Sequence, residues 1–417
     1  MNVWIFQSGE PIHLDGKNVR PMRAINLSNM LIKKNHRVIL WSSSFHHQKK
    51  KFRSRLYKKI TINKNLEIRL IPSSGYKRNI SIKRLFDHFI LALNLKKYLY
   101  KEKNLPDVAF IGYPPIEPAF VLSNWLKEKK VPFLLDVKDK WPHIFVETTP
   151  KILQPLIKIL FLPYFLMAKE TFKSSTGFCS ISKSFITWSL KFANRKKNNY
   201  DIISSLTSPN YNIKKIEEKL SYRWWKHKGV TKNNQFKIIF IGSFSRQFDF
   251  DLIFKTVKII SKEKINCEFI LCGNGELNSK LRKDSKKYQN IKVIKSINEP
   301  KIITLSKMSS LFIAPYKNTD DFIISIPNKV IDALKLGMPI LSPLQGEVEN
   351  LIKNHKVGMM YTSPLSLANK IKLLMADQDL LKNFSKNAKK LYKDNFEFNK
   401  VYDDLVNNLN KIKNLNS

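Results

Sequence analysis

The chain has 417 residues, 43% of them hydrophobic and 26% charged, an ordinary globular balance that excludes a wholly disordered, collagen-like or membrane-embedded chain. That length predicts two domains of about 200 residues each rather than one core. The charge is the outlier: 74 Lys+Arg against 33 Asp+Glu leaves +41, which favours nucleic acid, an acidic membrane face or a phosphate-bearing substrate without choosing among them.

The chain opens on Val3-Trp4-Ile5-Phe6 and reaches Glu10 with neither a basic n-region nor a long apolar run, so no signal peptide is expected. Short apolar runs then alternate with amphipathic stretches, the pattern of βα units around parallel sheets. Strands are predicted at 3–7, 37–41, 67–71, 107–112, 132–137 and 177–181, with helices at 22–34, 85–100 and 117–129. Residues 152–168 are almost entirely apolar, but Gln154, Pro155, Lys158 and Pro163 interrupt them at the short limit for a membrane span, which predicts an interfacial or buried helix. Lys77, Arg78, Lys83, Arg84, Lys96, Lys97, Lys101 and Lys103 bracket another apolar helix. Such a pattern suits either an anionic lipid surface or a core helix with a solvated lysine face.

A polar, poorly periodic stretch predicts a linker at 196–232, dividing an N-terminal domain, 1–195, from a C-terminal one, 233–390. In the latter, strands are expected at 236–241, 267–272, 291–294, 311–314, 339–341 and 358–361, and a last helix in 391–417 is placed to cross back to the first domain. The fold class is α/β: two doubly wound, Rossmann-like domains with ligands at the carboxyl ends of their strands, in the cleft between them. Cys179, Cys267 and Cys272 cannot make a disulfide framework and fit a reducing, cytoplasmic setting. Cys267 and Cys272, five apart in a strand, face opposite sides, so no metal site is expected.

Three loops carry the chemistry. The first, Ser325-Ile326-Pro327-Asn328-Lys329, runs into a helix that stops at Gly337, so free backbone N–H groups and Lys329 form an anion site that Asp332 flanks one turn on. The second, Gly242-Ser243-Phe244-Ser245-Arg246, follows a strand; its glycine admits a ligand to the backbone and its arginine can grip a phosphate bidentately. The third, Gly273-Asn274-Gly275-Glu276, occupies the same topological position after the next strand. Together they predict nucleotide binding. Asp249 and Asp251 open the helix after Gly242, where carboxylates favour the helix dipole rather than hold a metal.

In this order, with Ala314-Pro315-Tyr316, Ala333, Gly337, Pro339-Ile340 and Gly346-Glu347-Val348-Glu349-Asn350-Leu351-Ile352 following, the residues resemble the second domain of glycosyltransferase family 4, a GT-B group that uses nucleotide sugars. The resemblance extends over 1–375: Gly16, Arg20 and Arg23 precede a helix, Asn35-His36-Arg37-Val38 stands where the family has Gly-His-x-Val, and Asp136-Val137-Lys138-Asp139-Lys140-Trp141-Pro142 is similar to the Asp-x-Trp-Pro segment of the subgroup that builds bacterial surface polysaccharides, lipopolysaccharide among them. The wider family carries a Glu-x7-Glu pair on the loop and helix near Lys329; here Ile324 fills the first position and Asp332 the second, with Asp320 and Asp321 as near substitutes.

The resemblance implies transfer of a glycosyl unit, with retention, from a nucleotide diphosphate sugar to a hydroxyl on a saccharide or polyprenyl-diphosphate-linked acceptor. Neither a cofactor nor a metal is implied, since the nucleotide sugar is a substrate. Arg246 and Lys329 would neutralise the departing diphosphate, with Gly242, Ser243, Asn274, Gly275, Ser325, Pro327 and Asn328 around it and Asp332 on the ribose. Asp139 would act as base or positioning group, and Gly16, Arg20 and Arg23 would line the acceptor side. The expected location is the cytoplasm, peripheral to the inner face of its membrane. A sugar-nucleotide epimerase of the same fold, a nucleic-acid-binding protein and a non-catalytic binding protein are the alternatives. No finger, homeodomain, RRM or KH signature supports nucleic acid.

Overall fold

The computed structural model describes residues 1–16, 19–207 and 209–415. In chain order the first half comprises β1 (Asn2–Phe6), α1 (Arg23–Lys33), β2 (Arg37–Ser43), β3 (Phe45–His46), β4 (Lys51–Phe52), β5 (Lys58–Asn63), β6 (Leu66–Ile71), α2 (Ile82–Leu99), β7 (Val108–Tyr113), α3 (Ile116–Glu128), β8 (Phe133–Val137), α4 (His143–Glu147), α5 (Gln154–Leu160), α6 (Leu162–Ser174), β9 (Gly177–Ser180), α7 (Lys183–Ala193) and β10 (Ile202–Ile203). The second comprises α8 (Lys215–His227), β11 (Phe236–Ile241), α9 (Phe250–Lys262), β12 (Cys267–Cys272), α10 (Asn278–Ser285), β13 (Ile291–Ile294), α11 (Glu299–Lys307), β14 (Leu311–Ile313), α12 (Asp320–Ile323), α13 (Asn328–Lys335), β15 (Ile340–Ser342), α14 (Glu347–His355), β16 (Gly358–Met360), α15 (Pro364–Ala376), α16 (Gln378–Asn395) and α17 (Phe398–Lys413).

These form two compact units, residues 1–208 with 399–417, and residues 209–398. The first is built on an eight-stranded sheet of order β10-β9-β8-β7-β1-β2-β6-β5, parallel except for its edge strand β5. Its central strands are buried on both faces, which is why β7 reads as an unbroken apolar run and β8 as one broken only by Asp136. Order reverses between β1 and β7, leaving a crevice past their carboxyl ends. The second unit is an all-parallel sheet of order β13-β12-β11-β14-β15-β16, and its order reverses between β11 and β14.

The stretch 196–232 is not a simple connection. Ile202–Ile203 pairs with β9, and α8 buries Trp225, whose indole N–H donates to the Lys301 carbonyl at 3.0 Å. Its period was hidden because only Ser221 and Trp225 are buried, while Ile216 and Leu220 face outward among charged residues. The exposed edge strand β5 escaped for a similar reason, since its one apolar alternation, Ile60-Thr61-Ile62, is short and flanked by Lys58, Lys59 and Asn63. The final helix α17 groups with the first unit, burying Tyr402, which accepts a hydrogen bond from Asn26 of α1 at 3.2 Å.

Candidate functional site

In the second unit the loops after β11 and β12 interlock through their backbones. The Gly242 N–H donates to the Cys272 carbonyl at 3.0 Å, Phe244 N–H to Asn274 at 2.9 Å and Leu277 N–H back to Phe244 at 3.0 Å. Glycine is required at two points of this weave. A Cβ on Gly273 would lie 1.9 Å from the Gly242 oxygen, and one on Gly275, where φ is +159°, would lie 2.4 Å from the Phe244 oxygen. Beneath the loop, Phe244 packs edge-on to Phe250 at 5.6 Å, and Phe248 lies 4.6 Å from Tyr316, so an aromatic floor holds it.

Onto this loop α13 brings its first turn. A Cβ at Gly242 would meet Lys329 Cε at 3.2 Å and Cδ at 3.4 Å, so the lysine stem lies along the carboxyl end of β11. Its ammonium reaches Asp332 Oδ2 at 3.0 Å, putting both charged groups on one face of the helix. Pro327 is the N-cap and supplies no side-chain bond; Ser325 beside it is buried, and Asn328 is half-buried. The Val330 N–H already donates to the Pro327 carbonyl at 3.0 Å, so within the first turn it is the Asn328 and Lys329 N–H groups that add a fixed positive potential here. Arg246 is 83% exposed, with Nε 3.6 Å from Glu276 Oε2, while its backbone N–H donates to the other Glu276 oxygen at 3.1 Å. Ser243 and Asn274 are exposed on the same loop pair. Gly242, Ser243, Asn274, Gly275 and Lys329 are therefore brought to adjoining strand ends, with Arg246 at the margin. Asp249 caps α9, accepting from the Leu252 N–H at 3.0 Å, and Asp251 pairs with Lys280 at 2.8 Å.

In the first unit Arg23 requires correction. Its side chain is wholly buried, with Nε 3.3 Å from Asp136 Oδ2 and Nη1 donating to Ser204 Oγ at 2.6 Å. Asp136 is also 3.1 Å from Lys138 Nζ, which pairs in turn with Glu10. Arg23 therefore ties α1 to β8 and cannot line an acceptor surface. Arg23 is the first residue of α1 rather than one that precedes it, and a buried ion pair across 113 positions leaves no local signal. Gly16 and Arg20 are exposed, and Gly16 takes φ +100° just after Asp15, which Arg53 grips through two bonds of 2.8 and 2.7 Å. Asp139 is half-buried in the loop past β8; burial first, then Glu117 and Asp139, raise the Tyr113 hydroxyl well above its ordinary value.

A pocket that the sequence did not reveal sits at the reversal point of this sheet. Ser8 and Gly9 follow β1, Pro114 and Pro115 follow β7, and Arg84, Asp87 and His88 reach in from α2, with His47 and Tyr76 opposite. The Tyr76 hydroxyl bonds to His47 Nδ1, and the Arg84 guanidinium lies 4.9 Å from the Trp141 ring. Burial, aided by Lys50 and Arg84, lowers His47 to about 4, and burial lowers His88 to about 3, so both imidazoles are neutral near pH 7 and can accept hydrogen bonds from hydroxyls. Glycine after the first strand was a usable signal for this pocket; the α2 residues were not, because only the fold brings them there.

Glu117 of α3 lies behind His88, with Oε2 3.9 Å from Nδ1, and burial lifts its carboxyl from the ordinary 4.5 to about 7. A raised carboxyl stabilises the folded chain fully below its unfolded value, and that contribution is lost as the pH rises through about 7. Glu117→Gln should therefore flatten the decline in melting temperature between pH 5 and 8, measured by thermal denaturation across that range.

Residues 223–391 match the profile of the family described as Glycosyl transferases group 1. The second unit is a group 1 glycosyltransferase domain. No curated protein matches the chain. Among solved structures it is similar to sucrose-phosphate synthase of Thermosynechococcus elongatus, with TM-score 0.67 and 11% identity over 99% of this chain and 98% of that one. It is similar also to HepE of Anabaena in complex with UDP, with TM-score 0.63 and 12% identity over 98% and 99%. A third is WaaG, a glycosyltransferase involved in lipopolysaccharide biosynthesis, with TM-score 0.63 and 13% identity over 97% and 98%. At such identities the likeness concerns the fold, and the fold of this glycosyltransferase is GT-B. The group 1 match spans every loop of the second unit described above, from Gly242 to Asp332.

Proposed function

We propose that this glycosyltransferase moves a sugar from a nucleoside diphosphate sugar to a hydroxyl of a lipid-linked or growing surface saccharide, with retention at the anomeric carbon, on the cytoplasmic side of a membrane. The observation that carries the reading is the lysine of α13 laid along the carboxyl end of β11 inside the matched region. A departing diphosphate gains negative charge in the transition state, and a cation with N–H dipoles fixed beside it lowers the barrier without reorganising. Lys329 and the first-turn amides of α13 supply both. Binding would exchange Asp332 as the partner of Lys329 for phosphate, which frees that carboxylate for ribose hydroxyls. The acceptor would enter at the crevice of the first unit, where neutral His47 and His88 suit hydroxyl groups, and Asp139 would act as the base or positioning group. The neighbour crystallised with UDP supports a uridine donor as the first to try.

Incubation of the chain with a panel of nucleotide sugars and saccharide acceptors, followed by NMR of the products, tests this reading. Transfer with the donor's anomeric configuration supports it. Isomerised free nucleotide sugar without transfer would instead indicate an epimerase.

A further inference from the structure

Helix α5 has no buried residue, although it is almost wholly apolar. Leu156, Ile159 and Leu160 are 64%, 69% and 67% exposed, and Ile152 just before it is 88% exposed. A bend of 69° separates this segment from α6, which exposes Leu162 and Leu166. Burying such side chains in the core is what α-helices ordinarily do, so a helix that buries none is shaped for something outside the chain. Helix α2 repeats the feature. Its inner face buries Leu91 and Leu95, while Ile82, Phe86, Phe89 and Leu93, spaced four, three and four apart, form a second apolar stripe facing solvent. Since α2 and α6 both pack on α3, the exposed faces belong to one helix layer.

We propose that the outer faces of α2, α5 and α6 rest on an anionic lipid bilayer, with α5 lying in the plane of the interface. The charge around the apolar faces decides the occupant. Lys83 stands beside the α2 stripe, and Lys151, Lys158, Lys169 and Lys173 punctuate the bent pair. The acidic groups are accounted for: Asp87 of α2 is buried, and Glu170 of α6 is paired with Lys127 at 2.8 Å. An apolar face rimmed by one sign of charge matches a bilayer, whose negative headgroups and acyl region supply both complements at adjacent depths. Among the described residues no single helix is long and apolar enough to cross a membrane; the bent pair reaches that length only together, and its 69° bend and the lysines along it suit a position in the interface. Helix α2 also carries Arg84, Asp87 and His88 into the crevice, so docking holds that crevice at headgroup depth, within reach of a lipid-borne acceptor. This last step rests on the acceptor reading above; the docking surface does not.

The test is co-sedimentation of the full chain with phosphatidylcholine vesicles, with and without phosphatidylglycerol, at low and high salt. A tryptophan reporter, Ile159→Trp, is read with brominated lipid. The expected result is binding to the phosphatidylglycerol vesicles at low salt, loss at high salt, and quenching of the reporter. Leu156→Ser/Ile159→Ser should weaken binding by about tenfold or more while leaving circular dichroism and UDP affinity unchanged. Retained UDP affinity separates a failure here from a failure of the donor reading. Absence of binding at low salt, an unquenched reporter, or wild-type binding by the double variant would overturn the proposal. So would a dimer abolished by the double variant without any vesicle binding, which would assign the face to a second copy of the chain.

Discussion

Lys329→Met should lower turnover by about 100-fold, the usual loss when one charge-stabilising group is removed from a transition state. Methionine is chosen because it keeps the alkyl stem that packs along Gly242 and removes only the ammonium. Its effect should fall mainly on kcat, because the charge on the diphosphate grows as the bond to the sugar breaks. Arg246→Ala should cost less, about tenfold, since that side chain is largely exposed and is already shared with Glu276, in a setting where charges are screened. Steady-state kinetics with the donor found by the product screen check both. Equal, unaltered rates in the two variants would remove the first turn of α13 and the loop after β11 from the reaction.

Arg23→Met should be severely destabilising without being a binding defect. It leaves Asp136 fully buried with only Lys138 as a cationic partner, and breaking one side of a buried pair costs about 3–5 kcal/mol. Over a unit of this size that corresponds to roughly 10 °C in melting temperature. The double variant Arg23→Met/Asp136→Leu should recover much of the loss, because it removes both members and leaves Lys138 still paired with Glu10. Thermal denaturation of the three proteins checks this, and acceptor KM in the folded fraction should stay at the wild-type value. A double variant no more stable than the single one would contradict the ion-pair account.

Strands 236–241 and 267–272 were legible because a parallel strand covered on both faces is mostly apolar, each here broken by one charged residue, Lys237 and Glu268, while the edge strand 291–294 shows three apolar residues around Lys292. The loops after β11 and β12 could be placed for a related reason, since glycine and serine mark where the chain leaves a strand; the anion they hold is the proposal made above. Arg23, His47, Arg84 and Glu117 were not legible in their roles. Each acquires its surroundings from elements far away in sequence, so burial, and with it the charge state, is decided by the fold. The apolar stretch 152–168 was half legible. Its composition showed that it was unusual, but only the 69° bend and the exposure of its side chains separate an outward-facing pair from a buried helix.

The central claim is that a diphosphate is gripped between the Gly242 loop and the first turn of α13. A crystal structure of the chain with a bound nucleoside diphosphate tests it most directly. The account predicts the phosphates within hydrogen-bond distance of Lys329 Nζ and the Ser243 backbone N–H, with Asp332 turned to the ribose. Phosphates held elsewhere on the second unit, with Lys329 still paired to Asp332, would contradict it.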